Sequence, residues 1–128
     1  MGSIMLRAAL LAAALAAAGC QSGRNYAYDR TDTEAEATIR HEGVAYAVLT
    51  DYDRTVGGYM NWVRGLDGAL TEADRAKAVA VVTDKVGPFL CQGEPFAVKP
   101  DPENTRFQPP SVFFQPERNR WIVIADCA

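Results

Sequence analysis

An unbroken Ala/Leu run from Ala8 to Ala18 follows the positive charge of Arg7 and ends on Gly19 and Cys20. A charged start, a short apolar stretch and small residues at its end make the layout of a secretory signal. The run covers about 11 residues, roughly 16 Å as a helix, against the ~20 residues and ~30 Å that a spanning segment needs. It engages a translocon but is too short to anchor by itself. Whatever folds must therefore be built from the residues behind it, outside the cytosol and in a compartment where disulfides persist.

Ala17, Ala18, Gly19 and Cys20 resemble the lipobox of bacterial lipoprotein precursors, although that family prefers a larger aliphatic residue where Ala17 stands. The resemblance covers only the N-terminal segment. It implies acylation of Cys20, removal of residues 1–19 and attachment to a membrane through lipid on Cys20. Gln21 and Ser22 follow the cysteine, with no aspartate, which in lipoproteins of the enteric type implies the outer membrane, facing the periplasm. The competing reading is ordinary secretion with a cut after Ala16 to Ala18. Cysteine parity favours the lipoprotein. The chain has three cysteines, and acylating Cys20 leaves Cys91 and Cys127 as a pair.

Loss of residues 1–19 removes Arg7 and leaves 12 basic and 16 acidic side chains, a formal charge of −4 on 109 residues. Mild acidity argues against a nucleic-acid partner. It also supplies no polybasic patch for anionic lipid, so attachment rests on the acyl chains. A chain of this size suits one small domain that gains from a covalent staple.

From Gln21 to about Arg40 the sequence is polar, with Tyr26 and Tyr28 its only aromatics, and reads as a tether. A short helix over Thr33 to Arg40 is an option there, with a thin apolar face. Residues 41–128 then form the domain. Val44 to Thr50 is apolar on both parities, as in a strand buried on both sides. Asp51 to Arg54 reads as a turn, and Thr55 to Arg64 as the second strand of a hairpin. Val56, Tyr59, Met60, Val63 and Leu66 also fit a helical period, but Gly57 and Gly58 each cost about 1 kcal/mol inside a helix. The glycine pair is better placed at a bulge or a close backbone approach.

The clearest helix runs from Glu72 to Val86. Thr71 is its N-cap with Asp74 three residues on, and Lys85 lies in its last turn. Ala76, Val79, Ala80, Thr83 and Val86 recur at packing intervals, and Gly87 with Pro88 reads as the stop. Glu94 to Lys99 alternates as a short strand. Pro100 to Pro110 holds four prolines and reads as a loop. Ser111 to Gln115 and Arg120 to Asp126 form a second hairpin around Pro116 to Asn119. The order is β-β-α-β-β-β: an α+β domain with an antiparallel sheet of about five strands on one main helix.

A Cys91–Cys127 disulfide would fasten the helix end to the sheet edge, closing about 36 residues and adding roughly 3 to 4 kcal/mol. A redox or metal pair lacks support, since the sequence has no Cys-x-x-Cys and His41 is its only histidine. No cofactor or metal site is expected. His41, beside Glu42 at the domain's start, reads as a surface histidine, and no nucleophile or phosphate-loop motif is present.

Asp51 and Asp53 would share a strand face, as a carboxylate hydrolase requires, but aspartates at this place are first of all turn formers. Arg118, Arg120 and Asp126 read as solvated hairpin charges. Tyr46, Tyr52, Tyr59, Trp62, Phe113, Phe114 and Trp121 fall on strands or at their ends, and one helix cannot cover both parities. Tyr59, Trp62, Phe113 and Trp121 are therefore candidates for a binding surface, with core filling the competing role.

The expectation is a noncatalytic envelope lipoprotein, a binding or structural module for another envelope protein. Two alternatives stand beside it: a periplasmic inhibitor of a hydrolase, plugging a cleft with the loop Asp101 to Pro110, and a carboxylate-dependent hydrolase built on Asp51 and Asp53.

Overall fold

Among the described residues every strand joins one antiparallel sheet, in the order β1-β2-β3-β6-β4, with β5 also paired to β6. The computed structural model describes residues 36–104 and 108–128, which belong to the unit Asp32–Ala128. The leader, Cys20 and the tether up to residue 35 lie outside the described residues.

The first strand, β1 (Ala37–His41), occupies the last residues of the segment read as tether. Here neither tether nor helix is formed, and the sheet has six strands where about five were expected. The physical reason is the turn. Glu42 (φ 52°) and Gly43 (φ 79°) make a two-residue loop with both φ values positive, the kind that closes a hairpin. It pairs His41 with Val44 and Ala37 with Val48. Polar residues are tolerated on β1 because it is an edge strand.

β2 (Val44–Asp53) is buried without a break from Ala45 to Leu49, as its unbroken apolar run predicts. It continues through Asp51, so the turn begins later than expected. Asp53 Oδ1 accepts from the Thr55 and Val56 N–H groups at 2.7 and 3.3 Å, and the Gly57 N–H donates to the Asp53 carbonyl at 2.9 Å. β3 (Gly58–Gly65) follows, confirming strand over helix for this segment. Of the two uses expected for the glycine pair, Gly58 shows the close approach, while Gly57 serves the turn instead of a bulge. Gly57 takes φ +68°, and a Cβ on Gly58 would lie 2.8 Å from Lys99 Cδ and 3.1 Å from the Ala125 carbonyl oxygen.

The helical segment opens with a turn at Glu72–Asp74, where Thr71 and Asp74 form a reciprocal capping box. The α-helix α1 (Arg75–Val81) leads into a π turn over Val82–Val86. A last α turn, α2 (Gly87–Leu90), carries the path past the expected stop. Gly87 keeps helical φ and its N–H donates to the Val82 carbonyl. The wider π turn lets Pro88 enter at the start of a new turn, where its missing N–H costs nothing. Gly87 is required for proximity rather than termination: a Cβ there would stand 2.6 Å from Phe96 Cβ. The packing stripe also differs from the one expected. Ala78, Val81, Val82 and Val86 are buried, while Ala76 is exposed. An Ala/Val-rich helix offers two stripes of similar hydropathy, and the bulkier valines take the core.

β4 (Phe96–Val98) and β5 (Val112–Gln115) pair with successive halves of β6 (Arg120–Cys127). They form one sheet edge interrupted by residues 99–111. Ile39, Tyr46, Val48, Val63, Trp121, Val123, Ala125 and Phe96 pack with the helical segment into one core. The class is α+β, as expected.

Candidate functional site

Cys91 and Cys127 are joined, with Cα atoms 5.5 Å apart. Cys91 ends α2 and Cys127 ends β6, so the bond ties the helical layer to the sheet within the core described above. Its surroundings assign it to stability. Cys20 lies outside the described residues.

Strand alternation divides the four candidate aromatics into two pairs. Tyr59 and Trp121 point toward the helical layer. Tyr59 lies between Tyr52 and Phe96, with ring centroids at 5.1 and 5.8 Å. The Trp121 indole N–H donates to the Thr71 carbonyl at 2.9 Å, fixing the start of the helical segment to the sheet. Trp121 is therefore a core residue and Tyr59 packs half-buried against the core, the competing role expected for them.

Trp62 and Phe113 belong to the opposite face. Trp62 pairs with Leu49 on one side and Ile122 on the other, and Phe113 also pairs with Ile122. Ala45, Ala47, Met60 and Ile124 complete an apolar surface across four strands. Apart from the half-buried Phe113, its residues are 5% exposed or less. None of them belongs to the core that contains the helical residues.

One polar atom at the middle of this face is anomalous. Trp62 Nε1 is buried without a hydrogen-bond partner. Leaving such a donor unpaired costs about 1 to 3 kcal/mol, a penalty that an acceptor on a bound partner would relieve.

Polar side chains close the face at both ends. At one end Arg64 and Arg120 are cross-strand neighbours. Glu36 offsets their like charges, its Oε2 accepting from Arg64 Nε at 2.7 Å, and the neutral Gln115 Oε1 accepts from Arg120 Nε at 2.6 Å. Glu36 Oε1 is a second buried atom without a partner. At the other end Lys99 crosses Gly58 and its Nζ donates to the Gly57 carbonyl at 2.7 Å. Arg120 is only 9% exposed, which corrects its reading as a solvated hairpin charge. Glu36 and Arg64 were missed because the first lies in a polar stretch and the second near a glycine. Only the register of β1 on β2 brings them together.

The rival sites are less organised. Asp53 is committed to its turn, and Asp51 is exposed one alternation earlier on the same face. Glu42 is at the far end of β2, away from both. His41 Nε2 lies 3.3 Å from Asp84 Oδ2, a contact between β1 and the π turn. Among the described residues, no three His, Cys, Asp or Glu side chains group as metal ligands, and no helix is long and apolar enough to cross a membrane. The loop after β4 is held at its base: the Ser111 N–H donates to Asp101 Oδ1 at 2.9 Å and Ser111 Oγ donates to the Pro100 carbonyl at 3.0 Å.

No family model matches the chain, and neither the curated proteins nor the solved structures give a match. The site is therefore read from its own chemistry.

Proposed function

We propose that this chain is a lipid-anchored lipoprotein of the bacterial envelope, facing the periplasm from the outer membrane, whose mature domain is a noncatalytic binding module. Its binding surface is the sheet face opposite the helix, with Trp62 and Phe113 as anchors for another envelope protein. The observation that carries this reading is the unpaired indole N–H of Trp62 in the middle of an apolar face that no helical core residue covers. A partner that reaches the indole with one carbonyl would satisfy that donor, and the half-buried Phe113 beside it supplies the apolar contact. The Ala/Leu leader ending at Cys20 supports the anchor.

Two measurements test the two halves separately. The mass of the protein from native membranes should match residues 20–128 plus lipid, and an unlipidated mass would remove the anchor. A photo-crosslinker at Phe113 should give one discrete adduct in intact cells, while the same probe at exposed Lys77 gives none. Absence of that difference would remove the binding face.

The inhibitor reading keeps one observation in its favour, the pinned base of the loop 100–110. A loop held at its base loses less conformational freedom on entering a cleft. Shortening the loop should abolish inhibition of a target hydrolase if this reading is right and leave the Phe113 adduct unchanged if it is wrong.

A further inference from the structure

We propose that the domain rests on its own membrane through Phe89 and the apolar groove beside it, so that the anchored protein holds one orientation. This rests on the lipid anchor proposed above and adds a second contact with the bilayer.

Phe89 is 88% exposed, the most exposed of the large apolar side chains described. It stands in the final helical turn with Pro88, also exposed, and Cys91 secures that turn to β6. The side chain is thus presented from a fixed point. Beside it a groove of about 400 Å³ is lined in part by Ala37, Ile39, Val48, Val86 and Leu90. Phe89 and the groove form one apolar patch on the edge of the sheet.

The position of β1 selects the bilayer as occupant. Ala37, on the groove, is the first residue of the first strand, and 16 residues separate it from Cys20. Sixteen residues extend at most about 55 Å. The lipid on Cys20 therefore holds the patch near the membrane at an effective concentration in the millimolar range. Under that condition a small apolar contact is sufficient. Burying one phenylalanine shifts an equilibrium roughly 10- to 150-fold, enough to favour one orientation of a tethered domain though not to bind a free one.

Charge does not oppose the contact. Arg40 and Lys85 are exposed on the flanking elements, as is Asp84, which faces His41. With both signs present, the contact should depend on apolar surface and change little with salt. In this orientation the patch faces the bilayer at the sheet's β1 edge, while Phe113 lies on β5 at the opposite edge.

The test uses the mature chain, residues 20–128, with Cys91 and Cys127 oxidised. Cys20 is then its single thiol and is coupled to a maleimide lipid in phosphatidylcholine nanodiscs. Coupling supplies the anchor whether or not the cell does, so failure of natural acylation is read from the native mass and failure of the docking patch from this sample. With a spin-labelled lipid present, NMR signals of Ala37, Ile39, Phe89 and Leu90 should broaden several-fold more than those of Phe113 and Ile122. Phe89→Ser, at an exposed site, should abolish most of that several-fold contrast while the protein stays in the nanodisc fraction. Even broadening over the whole domain, or a contrast unchanged in Phe89→Ser, would overturn the proposal.

Discussion

The two faces of the sheet are both apolar and both buried, yet they are organised differently. On the helix side the buried Asn61 and Trp121 side chains are both partnered. Asn61 is fully buried, accepts from Thr50 Oγ1 at 2.7 Å and donates to the Val123 carbonyl at 3.1 Å, and the Trp121 indole is bonded to the Thr71 carbonyl. A disulfide closes the layer. On the other side the central indole is unpaired and the helical layer is absent. Equal burial therefore does not mean equal structural commitment. A face with its donors satisfied is built for stability, and a face with one left over is where an outside group gains most.

The largest effect should come from the helix side. Cys91→Ser removes a link across 36 residues and should lower unfolding free energy by about 3 to 4 kcal/mol in urea denaturation. A loss under 1 kcal/mol would mean that packing alone holds the helical layer. Gly87→Ala pushes a methyl group into Phe96 and should cost roughly 1 to 3 kcal/mol. Thermal melts of this variant unchanged from the parent would show that β4 moves away freely.

The most direct contrast comes from the same replacement on both faces. Trp121→Phe removes a hydrogen bond to the Thr71 carbonyl, whereas Trp62→Phe removes a donor that had no partner. The first should destabilise by about 1 to 2 kcal/mol more than the second, although the volume lost is the same. Equal losses would erase the distinction drawn between the faces. Thr71→Ala, which breaks the capping box, should cost about 1 kcal/mol, read from the same denaturation curves.

The smallest effect concerns acid. The Thr71 backbone N–H, reinforced by Lys77, holds the Asp74 carboxyl below its ordinary value of 3.8. A depressed folded pKa contributes stability above the unfolded pKa and loses it as pH falls through the folded one. The capping contribution should therefore fade below about pH 4. Asp74→Asn should flatten that part of the stability profile. An unaltered profile would assign the acid sensitivity to other carboxylates.

Much of this architecture was legible in advance, and the reasons are local. β2 could be recognised from apolar residues on both parities, the helix start from Thr71 and Asp74, and the second hairpin from its β-formers around Pro116. Gly57 and Gly58 marked a close approach before its partner, Lys99, could be named. β1 was hidden because edge strands carry polar residues and resemble linkers. The extension of the helix past Gly87 was hidden because a π turn has no composition of its own. The binding candidates were recognised as a set and could not be separated, since Tyr59 and Trp62 are both aromatic residues of one strand.

What the sequence by itself determined was what short-range chemistry sets: the helix cap, the turn at Asp53 and the strands' alternating pattern. Tertiary structure alone decided which parity met the helix, which helical stripe entered the core, and that Glu36 should reach Arg64. These are choices among alternatives of nearly equal hydropathy. They are settled by shape and by hydrogen bonds between residues far apart in the chain, and no local pattern encodes either.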